Sequence, residues 1–266
     1  MTGANIREAD FAPVRTKALV ALAFALIIAI AWVGAAGRVP AYILPTPADI
    51  GQATLKFFGS ARQLAHLGAT LAHIGMSIAI AFVLGVLLAL AAHYAAWSGP
   101  AIHRRLSPFL NAFSGIGWTL LAVIWFGVSS ATVVFSITVV LLPFAIVNLR
   151  EGLLALDREL VEMGKSFGRD RLRNFAAIVL PALLPFAAAT LRIMFGVAWK
   201  VALTAELFGG SRGLGYMINI ARQDYDTATI FTVILFIIFA VYLADRALFA
   251  PLERHTSRHF GRAGSK

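Results

Sequence analysis

Residues 162–181 open with Glu162-Met163-Gly164-Lys165-Ser166-Phe167-Gly168, run nine residues further, and close with Ile178-Val179-Leu180-Pro181. This is the longest strongly charged interval between apolar segments, holding Lys165, Arg169, Arg171 and Arg173, with Arg158 just before it. Asp157 suits a helix N-cap. Leu160, Met163, Gly164 and Phe167 follow at i, i+3, i+4, i+7, the spacing of one helix face. Gly168 stands where a left-handed residue would end that helix. Leu172, Phe175, Ala176 and Val179 repeat the spacing in a second short helix, and Pro181 marks the start of the next apolar run or a bend in it. The pattern predicts a knob of two short helices, apolar on one face and basic outside, held against one face of a membrane.

The composition around this stretch agrees. The chain has 266 residues, 59% hydrophobic and 14% charged, where a soluble domain carries roughly 25% charged residues. Mean hydropathy is +0.80. An all-α polytopic membrane protein is expected. The net charge of +10 does not imply a nucleic acid, because the cations sit at the ends of apolar spans, where topology calls for them. Cysteine is absent, which removes a disulfide framework and a thiolate metal site. No Gly-x-x-x-x-Gly-Lys-Ser/Thr sequence occurs, so ATP is not expected to bind this chain through a phosphate-cradling loop. His66 and His73 can share a helix face, but a metal there is not expected. No catalytic constellation stands out, so an enzyme is not expected.

Taken in order, residues 1–17 read as a cytoplasmic arm and 18–37 as a first span, long enough for ~30 Å of hydrocarbon. Ala35-Ala36-Gly37 resembles a signal-peptidase site, but the apolar run exceeds the roughly 7–15 residues of a signal core, and more spans follow. A retained helix is favoured. In the first external segment, Thr46 suits an N-cap with Pro47 at the first helical position and Asp49 closing a capping box. Ile50, Ala53, Thr54 and Phe57 give that surface helix one semi-apolar face. The second span is expected over 67–97, with Gly75, Ala79, Gly85 and Ala89 allowing close helix approach and with Tyr94 and Trp97 at an interface. Residues 98–106, with His103, Arg104 and Arg105, are placed inside.

A third span is expected over 108–127, a tight turn over 128–131, and a fourth span over 132–149 kinked at Pro143. The charged loop 150–181 follows, then a fifth span over 182–207, an external segment over 208–227 and a sixth span over 228–249. One membrane domain, 18–250, lies between the arm and a cytoplasmic tail, 251–266. With both termini in the cytoplasm, Arg38, Lys56, Arg62, Arg212 and Arg222 are outside and the remaining loop and terminal lysines and arginines inside, as the positive-inside rule asks. The Glu162 loop then lies in the cytoplasm.

The spacing of Glu162, Gly168, Ile178, Leu180 and Pro181 resembles the inner-membrane permeases of binding-protein-dependent ABC importers. Their cytoplasmic motif is Glu-Ala-Ala, three residues, Gly, nine residues, Ile, one residue, Leu-Pro. Met163 and Gly164 replace the two alanines. Pro45-Thr46-Pro47, Trp125-Phe126-Gly127 and Gly213-Leu214-Gly215-Tyr216 are similar to the nitrate, sulfonate and taurine branch. The resemblance covers roughly residues 40–250. It implies six spans, a coupling helix in which Glu162, Met163, Gly164, Phe167, Gly168 and Arg169 meet an ATPase, and a bacterial inner-membrane location. It also implies a second permease copy as a homodimer, two subunits that bind ATP and Mg, and a periplasmic or lipid-anchored solute-binding protein. A heterodimer of permeases stays open.

The fifth span carries the polar exceptions. A charge near the bilayer centre costs roughly 2.5–3.5 kcal/mol on insertion scales, so Arg192, Lys200 and Glu206 invite a role. Lys200, beside Trp199, either lines the translocation path and favours an anionic solute, or snorkels or pairs in a packing role. Glu206 and Arg192 lie nearer the span ends, along the same path or as structural partners. Gly213, Gly215 and Tyr216 form an external gate or a binding-protein contact, or else a plain glycine-rich turn with an interfacial tyrosine. An ion-coupled carrier or a channel would explain the spans and Lys200, but not the Glu–Gly–Leu-Pro spacing.

Overall fold

The computed structural model describes residues 23, 31–36, 38–40, 42–95, 98–155 and 179–249. Glu162, Met163, Gly164, Phe167, Gly168 and Arg169, and most of the expected first span, lie outside these residues.

Helix α1 (Pro47–Gly59) starts as its sequence asks. The Thr46 hydroxyl accepts from the Asp49 N–H, the Asp49 carboxylate accepts from the Thr46 N–H, and Pro47 opens the helix. Ile50 and Phe57 are buried, while Ala53 and Thr54 are half-buried between them. That face rests on a later helix: the Phe57 and Phe236 ring centroids lie 5.6 Å apart, and the Thr232 hydroxyl donates to the Ile50 carbonyl at 3.4 Å.

Helix α2 (Ala61–Tyr94) is 34 residues long and begins earlier than its apolar run suggests. Ser60 is extended, and no glycine or proline interrupts the five residues after Ala61. Its buried residues are Thr70, His73, Ile74, Ser77, Ala81, Gly85 and Ala89, a single stripe. Only part of the small-residue set serves packing. A Cβ on Gly85 would collide with Ala145, and Ala89 is buried, but Gly75 has nothing near it and Ala79 is exposed.

The expected third span is not one straight helix. Helix α3 (Ser98–Ala112) and helix α4 (Gly115–Phe126) meet at a bend of 85°. Phe113 is extended, and Ser114 caps α4 by accepting from the Gly117 N–H at 3.2 Å. The Trp118 indole N–H donates back to the Leu110 carbonyl at 3.1 Å and ties the corner together. A π turn over Ile102–Leu106 interrupts α3.

Helix α5 (Ser130–Leu154) starts at Ser129, whose hydroxyl accepts from the Thr132 N–H. It continues through Pro143 and past the expected end, to Leu154. Half of its apolar length is buried, against 28% for α2 and 17% for each of the two later long helices, which makes α5 the axis of the bundle. Helix α6 (Leu180–Gly209), helix α7 (Leu214–Gln223) and helix α8 (Thr227–Ala244) complete the described fold, and a π turn over Asp245–Phe249 extends α8. Among the described residues, four helices are long and apolar enough to cross a membrane, or five if the bent pair counts as one span.

Lipid tails are as apolar as leucine, so close packing rather than removal from water holds such helices together. The contact of Gly85 with Ala145 is of this kind. On α6, Met194, Ala198, Ala202 and Ala205 are fully buried and join Val133, Ile137 and Leu141 of α5 in the central cluster.

Candidate functional site

A buried polar cluster forms where α2 begins and α6 ends. Glu206 of α6 is completely buried. Its Oε2 accepts from the Thr70 hydroxyl at 2.9 Å and from the Gly215 N–H at 2.9 Å. Its Oε1 lies 2.8 Å from Nδ1 of His73, which is also buried. The cluster continues outward on α2. The Leu214 N–H donates to the Thr70 hydroxyl at 2.7 Å, and the Gly213 N–H donates to Nδ1 of His66 at 3.2 Å. The His66 ring stacks on Tyr216, with centroids 5.7 Å apart.

Three successive amides at the start of α7 are thus satisfied by side chains of α2 and α6. Every helix leaves its first N–H groups without an internal acceptor, and Gly213 at the N-cap has no side chain to offer. Glu206 supplies an acceptor from another helix and places a carboxylate at the favourable end of the α7 dipole. The glycines make this approach possible. Gly213 has φ +116°, and a Cβ there would overlap the Glu206 carboxylate. A Cβ on Gly215 would strike the Leu203 carbonyl, and one on Gly210 the Glu206 backbone. Gly213 and Gly215 are buried and Tyr216 is half-buried, so the element faces inward onto Glu206 more than outward.

The residues expected on α6 separate in space. Lys200 is exposed and Trp199 is buried, with its indole N–H finding no acceptor among the described residues. Arg192 makes a two-pronged pair with Asp245 at the end of α8, Nε to Oδ1 at 2.8 Å and Nη2 to Oδ2 at 3.1 Å, and ties α6 to α8. Glu206 belongs to the α7 cluster. Of the four, Lys200 alone combines exposure with a position inside a span and no ion pair among the described residues. The sequence reading did not find Thr70, nor the shared task of His66 and His73. The signal available was their spacing with Thr70 on one face of α2.

No three His, Asp or Glu residues among those described are grouped to hold a metal.

The profile of the family described as binding-protein-dependent transport system inner membrane component matches residues 81–250. The permease protein SsuC of Bacillus subtilis (strain 168), whose name assigns it to aliphatic sulfonate transport, is 32% identical over 82% of this chain and 78% of its own. The formylaminopyrimidine transport permease protein ThiX of Halalkalibacterium halodurans is 31% identical over 89% of this chain and 94% of its own. The taurine transport system permease protein TauC of Escherichia coli (strain K12) is 25% identical over 81% and 80%. Among solved structures, the fold is similar to a chain of the MetNI methionine ABC transporter in an inward-facing conformation, with TM-score 0.56, 19% identity, and cover of 76% of this chain and 96% of that one. A carrier or channel working without an ATPase is thereby set aside. The chain belongs to the inner-membrane permeases of binding-protein-dependent ABC importers, as a non-catalytic, multi-pass subunit that works with a solute-binding protein and with a separate ATPase that binds the ATP.

Proposed function

We propose that this permease carries a small anionic solute of the sulfonate class and that Lys200 lines its path. The observation that carries the reading is the exposure of Lys200 on α6, a helix apolar enough to span the membrane. A charge at such a depth faces a protein interior or a wet cavity, and an ammonium there favours an anion. The relatives named for aliphatic sulfonate and taurine transport point to the same class.

Around this path the proposed assembly has six spans with both termini in the cytoplasm, and two copies of the chain forming the pore. Two ATPase subunits dock on the loop 150–181, with Glu162, Met163, Gly164, Phe167, Gly168 and Arg169 in the groove. ATP-driven closure moves these loops and shifts the cavity between outward and inward access, two states that ATP and solute bind unequally. Trp199 backs Lys200 from the buried side. The α7 element with Gly213, Gly215 and Tyr216 closes the outer end of the path, and Glu206 fastens it to α2. Arg192 positions the inner half of α6.

The test is uptake of labelled taurine and of an alkanesulfonate into proteoliposomes holding permease, ATPase and binding protein. Uptake is expected to need ATP. Lys200→Met is expected to reduce it about tenfold or more, the value of one hydrogen bond to a charged group, and Lys200→Arg to keep most of it. Undiminished uptake by a normally assembled Lys200→Met variant removes Lys200 from the path. Gly168→Asp is expected to lose the ATPase or to hydrolyse ATP without transport.

A further inference from the structure

At the opposite end of the bundle from Glu206, a cleft of about 430 Å³ opens between the end of α2, the start of α3 and the end of α5. Its polar lining is His93, His103, Arg104 and Arg150, with the backbone of Gly99 and Pro100 between them. Ala89, Ala92 and Leu154 supply apolar wall, and no carboxylate among the described residues lines it. The size is that of a small-molecule site, about 300–1,000 Å³.

Three further observations set this cleft apart from a plain basic rim. The π turn of α3 carries His103 and Arg104, and such turns inside α-helices are frequent at functional sites. The Ser98 hydroxyl donates to the Ala91 and Ala95 carbonyls at 2.7 and 2.8 Å, so part of the negative end of α2 is already satisfied. The cations themselves are poorly matched. Arg104 has no ion pair among the described residues, and Arg150 has only Glu151 at 3.4 Å, with both side chains well exposed. An exposed pair of this kind is worth about 0–1 kcal/mol and leaves the guanidinium free to turn to a better acceptor.

We propose that this cleft binds a phosphate-bearing anion, held by Arg104 and Arg150 with His93 and His103 as further donors, and that in the membrane the occupant is the headgroup of an acidic phospholipid. Guanidinium forks match phosphate oxygens in geometry and charge. Basic pockets between transmembrane helices at a membrane face bind such headgroups. The apolar wall of alanines and Leu154 suits the glycerol end of a lipid.

The experiment is native mass spectrometry of the full chain in mild detergent. The probes are phosphatidylglycerol, phosphatidylethanolamine of matched acyl chains, and inorganic phosphate. Phosphatidylglycerol is expected to be retained over phosphatidylethanolamine. Arg104→Gln and Arg150→Gln are each expected to weaken it about fivefold, the worth of one cation at an anionic surface. Arg105→Gln removes the same charge outside the cleft and is expected to change nothing, while Arg104→Lys keeps partial retention and separates lost charge from lost folding. Equal retention by wild type, Arg104→Gln and Arg150→Gln overturns the site, as does an equal loss from Arg105→Gln. Binding of inorganic phosphate without retention of the lipid overturns the lipid as occupant.

Discussion

The carboxylate of Glu206 fills the space that a Cβ on Gly213 would need. A glycine with left-handed backbone and a fully buried acid are thus one device. Together they let the first turn of α7 lie directly on α6.

Removing the acid breaks this device. Glu206→Ala leaves the Gly215 N–H without its acceptor and His73 without its partner, and an orphaned buried polar group costs about 1–3 kcal/mol. Thermal unfolding of the purified chain in detergent is expected to show that loss, with a smaller one for Glu206→Gln, which keeps an oxygen for Gly215. Equal stability of Glu206→Ala and wild type overturns the role given to the carboxylate.

Removing the glycine is expected to harm the same contact from its other side. Gly213→Ala combines a strained φ of +116° with overlap on Glu206, and a backbone held in such a region costs about 1–3 kcal/mol by itself. Gly196→Ala, in the middle of α6 with nothing near its Cβ, is expected to be neutral or to gain about 0.5–1 kcal/mol. Limited proteolysis of the α6–α7 connection separates the two: faster cleavage for Gly213→Ala, unchanged cleavage for Gly196→Ala.

A second pair of glycines tests the packing of α2 on α5. Gly85→Ala must push α2 away from Ala145 and is expected to cost about 1–3 kcal/mol, the usual penalty of overpacking. Gly75→Ala, on the same helix with open space around it, is expected to cost nothing measurable. Unfolding midpoints of the two variants in one detergent decide it, and equal midpoints would refute the close approach.

The α1 cap predicts a pH dependence. Hydrogen bonds from the Thr46 hydroxyl and then from the Thr46 N–H hold the Asp49 carboxyl below its ordinary range. A carboxyl depressed in the folded state contributes stability above its unfolded pKa of about 3.9 and loses it as pH falls through the lower folded value. The stability difference between wild type and Asp49→Asn is therefore expected to be constant from about pH 7 to 5 and to shrink below about pH 3.9. A difference that does not change with acid removes the capping box as its source.

What was legible in the sequence was local or periodic. Thr46, Pro47 and Asp49 sit within one turn, so their box could be read directly. Four of the expected spans followed from hydropathy, although their ends did not: 61–66 and 150–154 are polar enough to look like loop, yet the first holds no glycine or proline, and Gly152 in the second is a point of close packing against Phe186 and Leu183. The corner at Ser114 was hidden because the segment 108–127 carries no charge and reads as one long apolar run despite Asn111, Ser114 and Thr119, and the break is a matter of one cap. Gly75 and Gly85 look alike in a sequence, and only the neighbouring helix decides which is crowded. For Glu206, the cost of a buried acid was visible, but His73 lies 133 residues away and no local pattern names it as the partner.

The mutual capping of α7 also bears on biogenesis. A ten-residue helix is too short to persist alone, and this one is finished by groups from α2 and α6. It closes only after those two helices have met inside the bilayer. Until the ribosome has delivered Gly215, the acid on α6 sits in the membrane without that amide. A chain ending before Gly215 would keep the Thr70 and His73 bonds to Glu206 and lack the amide that seats α7 on them.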